Sequence, residues 1–453
     1  MRPLDDATGM IPRSRGSRGM AVLFIVVYVA IVLTPMLIAF LAAPRSDDPF
    51  LRELGILFAL TAVPILLLQM VLAARFHWLD RQFGHDIVMQ FHRGMAALAL
   101  VMLACHPVLM SLGSGRWGLL TRFDLPWTIW LGRLALLLII LQAVLSIYQR
   151  HLLSFEKWRF THQMALVIWV LGWVHSWKVG PDLELLPVKI LWVVAGLLTI
   201  GIYLYHKVYM PAQAKRDAYD VVEVKQETHD TWTVALKPPA GLAHFPYWPG
   251  QFRFMALRRP GRPFSGEEHP FTISSSPTQP GVHTSTIKES GDFTRTIGQT
   301  RLGDKARVSG AYGRFSHVFY PEDQSLVFIA GGIGITPLMS MLRYMRDSKS
   351  DHEVLLLWGN KTAADIAFGE ELEQMQAAQT PRLKVVHVLS AAGADWQGET
   401  GYVDRAKIEQ HCGSVAGKAF YVCGPPKMME MVDAALRDLG VPVDSIRQER
   451  FYL

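Results

Sequence analysis

The chain has 453 residues, room for about three domains at roughly 150 residues each, and a formal net charge of +6. Charge is unevenly spread: 23 of the 191 residues between positions 20 and 210 are charged, against 55 of the 243 from 211 onward. One half is composed for lipid and the other for water, which excludes a wholly soluble enzyme, a disordered scaffold and a small disulfide-framed secreted fold.

The basic balance is no nucleic-acid footprint, because membrane proteins concentrate Lys and Arg in cytoplasmic loops. Three scattered cysteines, Cys105, Cys412 and Cys423, cannot supply a disulfide framework or a four-cysteine metal cluster.

Residues 1–19 read as a cytoplasmic tail with an Arg/Gly/Ser stretch. Six segments then meet the length of about 20 apolar residues that a spanning helix needs. They lie near 20–43, 55–74, 91–112, 126–148, 161–179 and 186–206. Arg2, Arg13, Arg15 and Arg18 precede the first; Arg75 and Arg81 follow the second; Arg150, Lys157 and Arg159 follow the fourth; Lys207, Lys215 and Arg216 follow the sixth. Alternate loops are poorer in cations, so six spans with both termini in the cytoplasm are expected, in a bacterial inner membrane. The first apolar run is longer than that of a typical signal peptide and no clean small-residue cleavage site follows, so an uncleaved helix is expected.

Four histidines fall inside the spans: His92 and His106 in the third, His162 and His175 in the fifth. An ionisable side chain at membrane depth is costly and faces a functional partner in the bundle, and neutral imidazole is a common haem ligand. Both spans run outward, so His92 is level with His162 and His106 with His175. The spacings of 14 and 13 residues correspond to roughly 20 Å of helix. Two stacked haems, each held by one histidine from each span, are expected. Thirteen residues leave an ideal helix about 140° from its starting face, so the fifth span needs a distortion, at Gly172 or as a π-bulge. Trp169, near the midpoint of the second pair, reads as packing or as a shorter electron path.

From Tyr219 short β-rich runs take over, including Val221–Val224, Thr231–Leu236 and Gln251–Phe254, and read as strands of a small barrel. After Leu326 the rhythm is α/β. Val327-Phe328-Ile329-Ala330 reads as a buried strand; Gly331-Gly332-Ile333-Gly334-Ile335-Thr336-Pro337 then opens a helix. Glycines at a strand-to-helix turn let phosphate approach backbone N–H groups. Beyond Val354–Trp358 no acidic residue follows at once to take a ribose 2′-hydroxyl, while Lys361 and Thr362 suit a 2′-phosphate; this favours NADPH over NADH.

His269-Pro270-Phe271-Thr272-Ile273-Ser274-Ser275 resembles the flavin motif of the ferredoxin–NADP reductase superfamily, in the variant of ferric reductases and NADPH oxidases. The resemblance implies that His269 helps hold FAD, that Phe271 packs on the isoalloxazine and that Thr272 reaches flavin N5. Ile287-Lys288-Glu289-Ser290-Gly291-Asp292-Phe293-Thr294 is similar to the second flavin motif and assigns Lys288, Gly291 and Thr294 to the pyrophosphate. Gly310-Ala311-Tyr312-Gly313 resembles the G-P-Y-G turn with its proline lost. Gly331, Gly332, Gly334, Thr336 and Pro337 match the nicotinamide-nucleotide loop, and Cys423, Gly424 and Pro425 match the C-G-P-P turn near the nicotinamide. Phe451 takes the place of the near-terminal aromatic that covers the flavin. Thr272, Cys423 and Phe451 are thus the candidate catalytic residues. The paired histidines likewise resemble the superfamily's two-haem transmembrane domain, and the likeness runs from residue 50 to 453.

The fold expected is a six-helix transmembrane haem bundle (20–210), an all-β FAD-binding barrel (211–320) and an α/β NAD(P)-binding domain with a parallel sheet (321–453). The expected cofactors are FAD, two bis-histidine haems b and NADPH or NADH. The function expected is transfer of electrons from cytoplasmic NAD(P)H to an acceptor on the outer face, as in a bacterial-type oxidase that reduces O2 to superoxide. The alternatives are a ferric or cupric chelate as acceptor, or a channel or transporter gated by a redox-nucleotide domain. Neither a nucleic acid nor an obligate protein partner is expected; membrane lipid is.

Overall fold

The computed structural model describes residues 18–42, 49–74, 76–153, 155–258 and 268–450. Phe451 and the tail before Arg18 lie outside the described residues. The chain separates into two compact units, one of residues Arg18–Pro211 and the other from Ala212 onward.

The first unit is helical. Its principal helices are α1 (Arg18–Ala42), α2 (Phe50–Ala73), α3 (His85–Ser114), α4 (Trp127–Ile147), α5 (Phe155–His162), α6 (Ala165–Val179) and α7 (Leu186–Leu204). Five of these, α1, α2, α3, α4 and α7, are long and apolar enough to cross a membrane. Leu23, Val26, Phe40, Leu137 and Leu197 lie exposed on them, a surface suited to lipid. Pro35, Pro64 and Pro107 sit inside α1, α2 and α3, as helices that cross a membrane tolerate. The most enclosed helix is α2, which buries Leu60, Ala62, Val63, Ile65 and Leu67. Its Gly55 permits the close approach of α3: a Cβ there would stand 3.2 Å from the His106 carbonyl oxygen.

The expected fifth span is divided. Between α5 and α6 the Gln163 and Met164 N–H groups bond back to Phe160 and Thr161, three residues away, at 3.1 and 2.9 Å. The Thr161 hydroxyl also donates to the Trp158 carbonyl, a local bond that competes with the helical ladder. The distortion therefore lies directly after His162. Gly172, the position expected to supply it, sits inside unbroken α6, and the π-helical turn found in this unit is at Tyr205–Tyr209 instead.

The second unit carries two sheets. Strands β1 (Tyr219–Thr228), β2 (Thr231–Lys237), β3 (Phe252–Arg258), β4 (His269–Thr272), β5 (His283–Lys288) and β6 (Lys305–Tyr312) form an antiparallel sheet in the order β4-β3-β6-β1-β2-β5. The ladder does not join β4 to β5; the Ser274 N–H, just past β4, bonds to the Thr284 carbonyl at 2.9 Å. Met255, Leu257, Val234, Leu236 and Ile287 pack together on its inner face.

The other sheet is parallel, in the order β10-β9-β8-β7-β11-β12. Its strands are β7 (Ser325–Gly331), β8 (Glu353–Asn360), β9 (Arg382–Leu389), β10 (Glu399–Thr400), β11 (Ala419–Cys423) and β12 (Ile446–Glu449). Near-continuous apolar runs suit strands covered on both faces. Alternate residues obey the pleat: Phe328 and Leu356 face helices α8 (Ile335–Asp347) and α9 (Gly369–Ala378), while Val327, Ile329 and Leu357 face α10 (Arg405–Cys412) and α11 (Pro426–Asp438). The chain builds outward from β7 in one direction and then returns to its other side as β11. This reversal makes a crevice between the carboxyl ends of β7 and β11, the place where open α/β sheets bind ligands.

Gly334 closes that crevice. A Cβ on it would stand 2.3 Å from the Cys423 carbonyl oxygen, a backbone atom that cannot yield. Gly334→Ala is expected to destabilise this unit by about 2–4 kcal/mol, measured by chemical denaturation; an unchanged midpoint would contradict the packing.

Candidate functional site

Of the two helical histidine pairs, His92 and His162 face each other, while His106 lies close enough to His175 to feel its charge. The His92 and His162 ring centroids are 6.2 Å apart at 60°. A metal–imidazole bond is about 2 Å long, so one metal held axially between two imidazoles sets their centroids about 6 Å apart. His162 Nδ1 meets the Gln142 amide at 3.1 Å, and Trp158 stacks on its ring at 5.1 Å. His92 Nδ1 is buried beside the Gln69 backbone and closes no hydrogen bond.

The other pair is fixed more tightly. His106 Nδ1 lies 2.8 Å from the Gly55 carbonyl oxygen and His175 Nδ1 lies 2.7 Å from that of Thr128. A carbonyl only accepts, so Nδ1 carries the proton in both rings and Nε2 keeps its lone pair. A bond from the far ring nitrogen to a carbonyl is the usual device for orienting a metal-binding histidine. Gly132 on α4 makes room: its Cβ would stand 2.7–2.9 Å from three atoms of the His175 ring. The donor set would suit iron: His92 and His162 by their spacing, His106 and His175 by their free Nε2 atoms. Trp169 is buried and begins a ladder with Trp173 and Trp177, at centroid separations of 6.1 and 5.4 Å.

In the second unit, His269, Pro270, Phe271 and Thr272 form β4, paired with β3. His269 stacks on Phe293 at 4.2 Å, and Phe271 lies 6.0 Å from the same ring, so the two motifs adjoin. The N–H groups of Ser290 and Gly291 converge on one oxygen, the Thr294 hydroxyl, at 2.9 and 2.8 Å. Such a nest of adjacent donors is where a phosphate oxygen is accepted. Lys288 is already engaged: its Nζ lies 3.0 Å from Asp230 and 3.3 Å from Asp365. Partial burial works against its charge, but the two carboxylates outweigh that and hold its pKa above the ordinary value. Lys288 is thus cationic throughout the physiological range.

The glycine loop and the Cys423 turn meet at the crevice. Gly331 lies against Met428 and Pro425, and Gly424 against Gly331, so closely that a Cβ on either has no room. Gly332 has φ +50° and open space beyond it, a cradle that a ligand can enter. Trp358 Nε1 donates to the Gly332 carbonyl at 3.0 Å, and the Thr336 hydroxyl donates to the Ile333 carbonyl at 3.0 Å; Pro337 is buried in the first turn of α8. Pro425 caps α11. Burial, with Glu449 nearby, raises the Cys423 thiol well above its ordinary pKa, so it remains S–H and is no nucleophile.

Three family profiles match in the order of these sites. Residues 58–173 match the ferric reductase like transmembrane component, 217–330 an FAD-binding domain and 328–434 the oxidoreductase NAD-binding domain. The chain is a ferric reductase/NADPH oxidase-type fusion. Among curated relatives of this fusion, the glycine betaine monooxygenase reductase subunit of Chromohalobacter salexigens is 29% identical over 237 residues, 51% of this chain and 62% of that protein. NADH-cytochrome b5 reductase 1 of Lodderomyces elongisporus is 33% identical over 154 residues, 34% of this chain and 51% of that protein. The fusion thus spans less than two thirds of the length of either. The cytochrome b5 reductase domain of Ulva prolifera nitrate reductase aligns with 51% of the chain and 97% of its own, at 20% identity and a TM-score of 0.45.

Two features of the fusion's site escape sequence reasoning. Arg343 Nη1 donates to the Ser274 carbonyl at 2.6 Å and Ser340 Oγ to the Ser275 carbonyl at 2.7 Å, so α8 holds the turn that follows the flavin motif. Glu371 accepts from Arg343 at 3.0 and 2.6 Å and keeps the guanidinium aligned. Thr362 is not free for a 2′-phosphate: its hydroxyl and N–H both bond to Asp365, at 2.7 and 2.9 Å. Lys361 beside it is exposed.

Proposed function

We propose that the chain is a transmembrane oxidoreductase that passes electrons from cytoplasmic NAD(P)H to oxygen on the outer face, giving superoxide. The observation that carries this reading is the pair of carbonyl-anchored imidazoles, His106 and His175, set a helix-length beyond the facing pair His92 and His162. When bound, FAD turns a two-electron hydride into single electrons, and two haems b relay them across the membrane. Each residue's part follows from its surroundings. Gly55 and Thr128 keep Nε2 of the outer pair available for iron; at the inner pair the Gln142 amide, turned so that its oxygen accepts from Nδ1, would do the same for His162. The break between α5 and α6 resets the helical phase so that His162 and His175 serve the same side, and these two helices together make the sixth crossing. Phe271 and Thr272 line the flavin ring, with His269, Pro270 and the Ser290–Thr294 nest on its phosphates and Lys288 beside them. Gly331, Gly332, Gly334, Thr336 and Pro337 receive the nucleotide, with Cys423, Gly424 and Pro425 against the nicotinamide and Phe451 over the flavin. NADPH is favoured over NADH on Lys361 alone.

A second reading, reduction of a metal chelate at the same outer haem, is favoured by the ferric reductase like profile over 58–173. Cytochrome c reduction by the purified protein with NADPH separates the two. Strong inhibition by superoxide dismutase is expected for oxygen as acceptor; insensitivity to the dismutase, with turnover of a ferric chelate, would replace oxygen by the chelate. For the ligands, His175→Leu is expected to retain one haem per chain where the native protein holds two, read from the pyridine haemochromogen. Retention of both would contradict the assignment.

A further inference from the structure

Arg253 lies on β3 with its side chain wholly buried. One guanidinium nitrogen, Nη2, donates to the Ser285 hydroxyl at 3.0 Å and the His283 carbonyl at 3.5 Å; Nε and Nη1 are buried and bond to nothing. Among the described residues no carboxylate pairs with it. Burial pushes its pKa down to about 10, with Tyr247 and Tyr219 opposing the shift, so it stays cationic at neutral pH. His283, lowered to about 2 by burial, by Arg253 and by His244, is neutral there and leaves Nδ1 buried without a partner. A buried cation with two unused donors and no counter-ion is among the most expensive arrangements a core can hold.

The cluster adjoins a cavity of about 800 Å³ in the same unit. His283, His244 and Tyr247 line it; the His244 ring stacks on His283 at 3.8 Å and Tyr247 meets His283 edge-on at 4.7 Å. Pro238, Pro239, Pro246, Pro277 and Pro280 supply much of the remaining wall; Asp220 and Lys237 also line it, the Asp220 carboxylate being paired with Lys305. His244 belongs to the irregular segment 238–251 and packs between Tyr219 and His283. An apolar concavity with a few convergent polar groups is the usual form of a small-ligand site. We propose that this pocket binds a small organic oxyanion, a carboxylate or a phosphate ester, whose acid group lies at His283 with the Arg253 cation directly behind it, while its body lies along the proline walls. The site touches the flavin motif only where the Tyr247 hydroxyl donates to the Ser275 carbonyl at 3.0 Å, and none of its lining residues is assigned to flavin or nucleotide.

The test uses the full-length protein saturated with FAD and NADP+, which fills the other anion-binding loops. Thermal unfolding is followed against benzoate and against inorganic phosphate at constant ionic strength in chloride. A saturable rise in midpoint is expected with at least one of them; benzoate alone assigns a carboxylate, phosphate alone a phosphate. Arg253→Met is expected to unfold at a higher temperature than the native protein in the absence of either probe, and to lose the saturable rise. If that variant does not fold, His244→Ala, which opens the pocket floor and leaves the buried charge in place, is expected to change the half-saturating concentration several-fold. No saturable rise in the native protein, or the same response in the folded Arg253→Met or His244→Ala variant, overturns the proposal.

Discussion

In a bundle surfaced with leucine, valine and phenylalanine, a buried imidazole has no water to satisfy it, and each of its nitrogens must find a partner among the helices or in a ligand. That constraint organises the helical unit. The Gly55 and Thr128 carbonyls take one nitrogen of His106 and His175, and the choice leaves the other nitrogen aimed at whatever the pair holds. A backbone carbonyl is available at Gly55 only because α2 and α3 pack without an intervening side chain, and the His175 ring fits only because Gly132 has none. The interruption after His162 belongs to the same arrangement. A continuous helix would turn His162 and His175 to different sides, and the turn at Gln163–Met164 changes their relation at the cost of helical hydrogen bonds that the neighbouring residues replace locally.

The water-facing unit is governed by a different rule, the reversal of strand order at β7. It puts the glycine loop after β7 and the Cys423 turn after β11 side by side, with Gly334 nearly touching the Cys423 carbonyl. The helix that begins at this loop ends at Asp347, and near that end Ser340 and Arg343 grip the turn following Thr272. One rigid helix thus links the nucleotide crevice to the flavin motif. The charged bond from Arg343 contributes about 1.5–3 kcal/mol and the neutral one from Ser340 about 0.5–1.5 kcal/mol. Lys288, between Asp230 and Asp365, adds a second bridge between the two sheets' loops.

Much of this was legible in the sequence because it rests on local signals. Apolar runs of spanning length mark α1 to α4 and α7, and the depth of the four histidines follows from counting residues along them. The glycine loop was legible because sterics alone demand those glycines. That the fifth span must be distorted followed from the thirteen-residue spacing, but the place did not, because the local bonds at Thr161, Gln163 and Met164 leave no mark on periodicity and Gly172 offered a more obvious weak point. Closure of the antiparallel sheet was overstated, since strand patterns say nothing about whether β4 and β5 pair. The Arg343 clasp spans 69 positions and leaves no local trace. Thr362 is the instructive miss: the spacing Thr362-Ala363-Ala364-Asp365 is a capping-box signal, and it outranks the ligand role that composition suggested.

The central claim is that the soluble unit feeds electrons to irons held by the four helical histidines. Anaerobic rapid mixing of the purified protein, loaded with FAD and haem, with excess NADPH tests it in one record. The account predicts loss of the oxidised flavin band followed, in the same protein, by the sharp α-band of reduced bis-imidazole haem. Flavin bleaching with haem left oxidised throughout, or a protein that binds flavin and no bis-imidazole haem, would contradict it.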